Sequence, residues 1–329
     1  EPDLQPGGPV EARGSPALGG GMGGQRHLRS IQAGRRDADI VARMPLSTEE
    51  LRARLAARPW TAHNVVLNAE VSTVPGAIDF VEENGIVRAV RRTVESFLGA
   101  DLRGVRIADL GCLEGGFSLA FARRGAEVLG IEARPENVEK CRLLEEHFAL
   151  PNLRFDRADV KEFSRERFGA FDVVLALGIL YHLDDPVGWL ARLGEATEAI
   201  LVVETHWAPD ADDAVERLRP EIRRLGPAET FVRGGSEYRG RWFREYESDA
   251  ERDAMPWASY SNPRSFWLTR PSILRAVAAA GFDLVYEQYD HWIHRYEAAV
   301  AENPRGTFVG GKSGALRERG RPAAPARER

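Results

Sequence analysis

A doubly wound α/β fold, its sheet mostly parallel, is predicted by three features of this 329-residue chain. Residues 105–132, VRIADLGCLEGGFSLAFARRGAEVLGIE, read as a buried strand, a glycine turn, a helix, a second strand and a terminal acid. Strand and helix patterns then alternate as far as Glu204, as a sheet covered on both faces requires. The residues richest in chemistry fall where strands end, and such sheets bind ligands outside their carboxyl ends.

The elements follow in chain order. Residues 1–43 are rich in glycine, proline and arginine and poor in large apolar groups, so burial cannot offset their ordering entropy and disorder is expected. The chain opens on Glu1, and Met44, just before Pro45 and Leu46, is the expected functional start. Ser47 and Glu50 have capping-box spacing before the helix LRARLAAR, which opens an N-terminal helical arm over 44–100. Within the arm, Trp60 and His63 stand in a loop-like stretch, either as a plug beneath the fold or as a flap over its mouth. A helix over 86–98 ends the arm.

In the core, Val105, Ile107, Ala108 and Leu110 form the first strand, a short apolar run bounded by turn residues. Gly115 and Gly116 open a helix over 117–124. A turn without side chains lets backbone approach a ligand, and the first free helix amides point at it. Val128, Leu129 and Ile131 make the next strand, and Glu132 at its tip is placed to accept hydrogen bonds from ribose hydroxyls. Further helices are expected over 136–148, 160–168 and 186–193, and strands over 153–155, 171–176 and 199–204. After an insertion over 207–262 come a helix over 271–280, a strand in FDLVYEQYD and a last strand in RGTFVGGKS.

The glycine spacing selects the nucleoside ligand. A dinucleotide fingerprint, GxGxxG, rests a pyrophosphate on helix amides. Here Leu113 replaces the middle glycine, and Glu114 would add negative charge where an anion should sit. S-adenosylmethionine has no phosphate, carries a sulfonium cation and tolerates an acidic turn.

The segments VRIADLGCLEGGFSLAF, VLGIEAR and FDVVLALGILYHLDDP resemble the class I S-adenosylmethionine-dependent methyltransferases over residues 101–206. The resemblance implies a Rossmann-like seven-stranded methyltransferase sheet, with RGTFVGGKS as an antiparallel edge strand. It implies that Asp109, Gly111, Gly115 and Gly116 line the methionine and ribose part of the cofactor, with Cys112 and Gly178 beside them. Glu132 matches the ribose acid, and Asp159 and Val160 match the positions that hold adenine. The arm and the segment SNPRSFWLTRPSILRAVAAAGF resemble, more narrowly, the tRNA wobble-uridine carboxymethyltransferase group.

Two histidines leave the fourth and fifth strands, His182 and His206. A hydroxyl acceptor benefits from a base with a pKa near neutrality, and both are candidates. Each also has a structural alternative: His182 as a loop ring bonded to Asp184 or Asp185, His206 as the residue that opens the insertion. Residues 207–262 hold aromatic and arginine side chains suited to a planar or anionic substrate under a lid, or to an ordinary solvated helix pair with aromatics on the core. Tyr181, Tyr238, Arg241, Trp242, Tyr260 and Arg264 are the candidate substrate contacts.

The expected organisation is therefore a disordered segment over 1–43, the arm over 44–100, a cofactor domain over 101–206 and 263–312, the lid over 207–262 and a disordered tail over 313–329. Only Cys112 and Cys141 are present, and no cysteine–histidine group has zinc spacing, so neither a disulfide framework nor a metal is expected. No run is apolar and long enough to span a bilayer, and a cytoplasmic enzyme is expected. The net charge of −5 favours a small or medium metabolite, methylated on oxygen or nitrogen, over RNA. RNA-base modification and a non-catalytic cofactor-binding partner subunit remain the alternatives.

Overall fold

The computed structural model describes residues 45–76, 79–255, 257–289 and 303–319. The expected disordered segment over 1–43 lies outside them. Ser47 caps α1 (Thr48–Ala57) in the expected capping box, its hydroxyl accepting from the Glu50 amide while Glu50 accepts from the Ser47 amide. The arm ends in α2 (Gly85–Leu98), capped by Asn84.

The core alternates β1 (Arg106–Leu110), α3 (Gly116–Ala122), β2 (Glu127–Glu132), α4 (Pro135–Phe148), β3 (Leu153–Arg157), α5 (Arg165–Phe168), β4 (Phe171–Leu177), α6 (Pro186–Ala196) and β5 (Thr197–His206). The single helix expected over 160–168 is broken. Asp159 caps a 3-10 turn, Val160–Glu162, the chain extends through Phe163 and Ser164, and Ser164 then caps α5. A serine hydroxyl that bonds local backbone competes with an unbroken helix.

The insertion begins with the short α7 (Asp212–Val215) and is chiefly β rather than a helix pair. β6 (Leu225–Arg233) and β7 (Ser236–Arg244) form a hairpin, followed by α8 (Asp249–Ala254) and β8 (Arg264–Leu268), and the strands make an antiparallel sheet in the order β6-β7-β8. Gly234 and Gly235 both have positive φ, 56° and 76°, as a two-residue hairpin turn demands. Because β8 belongs to this sheet, the insertion runs past the expected boundary at Asn262.

The chain returns through α9 (Arg270–Ala279), β9 (Leu284–Gln288) and β10 (Arg305–Gly311), completing a seven-stranded sheet in the order β3-β2-β1-β4-β5-β10-β9. The last strand is therefore not the expected edge. It lies between β5 and β9, antiparallel to both. The tail expected to be disordered from 313 begins with a helix, α10 (Ser313–Arg319).

The strand period of two divides the core between the faces. Val173 and Leu175 of β4 pack with α2, α3 and α4, whereas Val174 and Ala176 pack with α6, α9 and the second sheet. β5 is buried along nearly its whole length, as a central strand covered on both faces should be. The second sheet is tied to the first where the Phe266 amide donates to the Leu183 carbonyl at 2.8 Å.

Candidate active site

The carboxyl ends of β1 to β5 open on one cavity of about 290 Å³, lined by Asp109, Glu132, Asp159, Gly178 and Glu204 among others. Parallel order brings these five strand ends to one side of the sheet. Gly111 leaves β1 with φ 67°, and a Cβ there would come within 2.8 Å of Ile179. Leu113 takes φ 53°, a left-handed conformation in which glycine is the ordinary occupant. Its amide donates to Glu132 Oε2 at 3.0 Å, and the Arg134 amide donates to Oε1 at 2.8 Å.

Burial pushes the Glu132 carboxyl up, against the backbone amides that hold it down. Burial also raises Asp109, to about 6, although Ser118 Oγ donates to it at 2.6 Å. Asp159 Oδ1 accepts from the Lys161 amide and Oδ2 from Ser261 Oγ, both at 2.9 Å.

Glu114 has a different place from the one its position in the turn suggests. It is fully buried, away from the cavity lining, and accepts from the amides of Thr61 (2.8 Å), Ala62 (3.0 Å) and His63 (2.8 Å) and from Lys140 Nζ (2.7 Å). Burial pushes its carboxyl up, yet Lys140 and the amides bring it below the ordinary range. The turn acid thus fastens the arm. His63 is drawn to the cavity wall, stacked on Phe117 at 4.5 Å, and its Nδ1 accepts from the Gly116 amide at 3.1 Å. Burial lowers His63 to about 4, so the ring is neutral at pH 7, consistent with that acceptor role. Trp60 is buried in the core beside α1 and is not among the cavity-lining residues.

Residues 257–262 of the insertion line the cavity from another side. The Arg134 guanidinium donates to the carbonyls of Ala258 (3.2 Å) and Ser259 (3.1 Å), and Asn262 Nδ2 donates to the His182 carbonyl at 2.9 Å. Tyr260 also lines the cavity, with the Arg134 guanidinium 5.8 Å from its ring centre.

Beyond Gly178 the lining changes to Tyr181, His182, Glu204 and Arg305. Arg305 forms a two-point ion pair with Glu204, Nη2 to Oε2 at 2.7 Å. His182 Nδ1 is 3.0 Å from Glu245 Oε1 and 3.2 Å from Oε2. Glu245 follows β7, is 2% exposed, and also accepts from Ser265 Oγ at 2.8 Å. With Nδ1 donating to the carboxylate, the lone pair of His182 resides on Nε2. The expected partners of His182 are engaged elsewhere: Asp184 pairs with Lys161, and Asp185 caps α6 and pairs with Arg233.

Residues 82–287 match a family described as a methyltransferase domain. The chain belongs to that family. The domain is also similar to the N-terminal domain of EvdMO1, crystallised in the presence of SAH and D-fucose, at 26% identity and a TM-score of 0.59, covering 81% of this chain and 97% of that one. The ubiquinone biosynthesis O-methyltransferase of Psychrobacter arcticus is 34% identical over 113 residues, which are 34% of this chain and 44% of that protein. The O-antigen chain terminator bifunctional methyltransferase/kinase WbdD of Escherichia coli is 33% identical over 109 residues, 30% of this chain and 15% of that protein. The chain thus spans less than half the length of either relative.

Within the methyltransferase domain, Asp109, Gly111, Cys112, Glu132, Asp159, Val160, Gly178, Tyr181, His182 and Tyr260 come together at the cavity. Other expected contacts do not line it. Gly115 and Gly116 serve packing: a Cβ at Gly115 would lie 2.6 Å from Phe155, and one at Gly116 would lie 2.8 Å from His63. His206 stacks on Trp267 at 4.9 Å, and its Nδ1 faces the Pro304 carbonyl at 3.2 Å. Burial, then Arg305, holds its pKa well below the ordinary histidine range.

Tyr238 is 1% exposed and stacks on Phe231 in the core. Arg241 is 2% exposed and donates to the carbonyls of Pro209, Gly226 and Asp210 and to Asp212, so its fork holds the insertion together. Trp242 and Arg264 lie in a separate cleft. Glu204, Arg134 and Arg305 in the cavity wall, and Glu245 behind His182, are not among the residues expected from the sequence. Arg305 begins an expected strand and Glu204 ends one, so strand-end position could have found both. Glu245 had no signal, because it joins His182 only through the second sheet.

Proposed function

We propose that this protein transfers a methyl group from S-adenosylmethionine to a hydroxyl of a small sugar-like or natural-product acceptor, with His182 as the general base. The observation that carries the proposal is His182, set in the wall of the same cavity as Asp109, Glu132 and Asp159 and backed on its Nδ1 side by the buried Glu245. These residues fit the cofactor. Glu132 would accept from the ribose hydroxyls, Asp159 and Val160 would hold the adenine, and Asp109 with Gly111, Cys112 and Gly178 would hold the methionine part.

S-adenosylmethionine, when bound, supplies a methyl group on an already activated cationic sulfur. The chain must therefore orient the acceptor, worth ~7–11 kcal/mol, and remove the hydroxyl proton, worth ~100- to 10,000-fold in rate. His182 Nε2 takes that proton, and Glu245 stabilises the imidazolium and fixes the ring. Tyr181, Glu204 and Arg305 would wall the acceptor, the carboxylate and guanidinium offering an acceptor and donors to neighbouring hydroxyls. The similarity to the EvdMO1 domain studied with D-fucose supports a sugar-like acceptor.

The narrower resemblance to tRNA-uridine enzymes would put an RNA base in this cavity. The net charge of −5 and the pairing of many arginines with acids favour the small acceptor. A cytosolic setting, in which the free Cys112 and Cys141 stay reduced, belongs to the same proposal.

The test is transfer of an isotope-labelled methyl group to a panel of deoxyhexoses, phenols, primary amines and short RNAs, with products identified by mass spectrometry. Methyl ethers of sugars or phenols are expected. Label on amines or RNA alone would contradict the proposal, and S-adenosylhomocysteine binding without transfer to any acceptor would point to a cofactor-binding subunit.

A further inference from the structure

The arm carries His63 to the cavity wall with all but one of its polar groups committed. Its amide donates to Glu114 Oε2 at 2.8 Å and its carbonyl accepts from Thr73 Oγ1. Its ring stacks on Phe117, and Nδ1 accepts from the Gly116 amide. A neutral ring that accepts at Nδ1 carries its proton on Nε2, so that edge donates and cannot serve as a base. The residue is 7% exposed and lines the cavity, yet Nε2 has no partner among the described residues. A buried donor left without a partner is costly, which points to an acceptor on the ligand.

The chemistry of the cavity limits what that acceptor is. In the cofactor site proposed above, adenine lies at Asp159, the ribose hydroxyls at Glu132 and the methionine part at the end of β1. His63 belongs to that last region, packed on Gly116 and Phe117 just after the glycine turn. The sulfonium and ammonium groups of S-adenosylmethionine are cationic and do not accept, which leaves the α-carboxylate. That carboxylate would enter a wall already holding the acids Asp109, Glu132, Asp159 and Glu204. The cations of the wall are engaged: Arg134 with backbone carbonyls of the insertion, Lys161 with Asp184 and Arg305 with Glu204. A neutral donor fixed at its amide, carbonyl and ring is preorganised to receive the anion.

We propose, resting on the cofactor reading of this cavity, that the Nε2–H of His63 donates to the α-carboxylate of the cofactor's methionine part and selects for ligands that carry it. The arm is then part of the cofactor site, and Glu114, which holds the His63 amide, positions the donor.

The test is calorimetric titration of the full chain with S-adenosylhomocysteine and with its decarboxylated analogue, which keeps the adenosine, the sulfur and the amine. In the wild-type chain the carboxylate is expected to strengthen binding about ten- to hundredfold, the worth of a hydrogen bond to a charged group. Two variants remove the donor: His63→Phe keeps a ring to stack on Phe117, and His63→Asn keeps an acceptor for the Gly116 amide but is too short to place a donor where Nε2 stands. Both are expected to lose about tenfold or more on S-adenosylhomocysteine and to bind the decarboxylated analogue within about threefold of wild type. His63→Gln, a longer amide donor, is expected to fall between them and wild type. Unchanged S-adenosylhomocysteine affinity in both donor-free variants overturns the proposal. So do equal losses on the two ligands, which would mark His63 as a structural ring, and both outcomes leave the cofactor reading standing. Failure of the wild-type chain to bind either ligand overturns the cofactor reading and the role of His63 together.

Discussion

His182 and His206 follow neighbouring strands, yet their surroundings suit opposite tasks. His182 has a carboxylate on Nδ1 and a cavity beside its ring, whereas His206 is stacked on Trp267 and kept neutral by burial and by Arg305. Glu245→Gln keeps a hydrogen-bond acceptor and removes the charge that stabilises imidazolium. Its turnover is expected to fall about tenfold or more, with the KM for S-adenosylmethionine little changed, as steady-state kinetics would show. Asp109 carries a stability cost. Its folded pKa of about 6 lies above the ordinary 3.8, so the folded state binds the proton more tightly, and stability falls as pH rises between those values. Asp109→Asn is expected to raise stability above pH 6 by on the order of 2–3 kcal/mol while weakening cofactor binding, measured by urea unfolding and calorimetry.

At the level of elements, the 61–63 loop of the arm is fastened by one buried carboxylate, while α1 and α2 are packed on the core by apolar side chains. Glu114 satisfies three consecutive amides of the 61–63 loop and the Lys140 ammonium, and the loop in turn presents His63 to the cavity. Glu114→Ala strands a buried cation and those amides, so a loss of about 3–5 kcal/mol is expected in denaturant unfolding, with earlier proteolytic cleavage in the arm. This element shows where sequence reasoning stops. The capping box at Ser47 and the helix Gly85–Leu98 were legible from local pattern. The task of Glu114 was not, because three of its partners are backbone amides about 50 residues earlier, which carry no residue-type signal, and the fourth, Lys140, meets it only through the fold. The helix pair offered as the alternative to a lid over 207–262 is not what forms, and Gly234-Gly235 between β-rich runs is a hairpin signal, weakened by the charges alternating through β6 and β7.

Across the whole molecule, the fold was legible because a parallel sheet covered on both faces imposes short apolar strands at regular spacing, and this chain keeps that pattern from Arg106 to His206. The placement of β10 between β5 and β9 was not legible, since strand order is a long-range property. The half of the cavity proposed for the cofactor could be foreseen from strand ends. The half proposed for the acceptor could not, because Arg305 from the last strand reaches Glu204 at the end of β5, and Glu245, just after β7, reaches His182, only through the fold.

That convergence makes the central claim testable with two variants in parallel, His182→Ala and His206→Phe. Turnover would be measured with a methylated product in hand, and S-adenosylhomocysteine affinity by calorimetry. His182→Ala is expected to lose about 100- to 10,000-fold in turnover with affinity changed less than about threefold, and His206→Phe to retain turnover within about threefold. Undiminished turnover in His182→Ala, or equal losses of turnover and cofactor affinity, would contradict the assignment of His182 as the base.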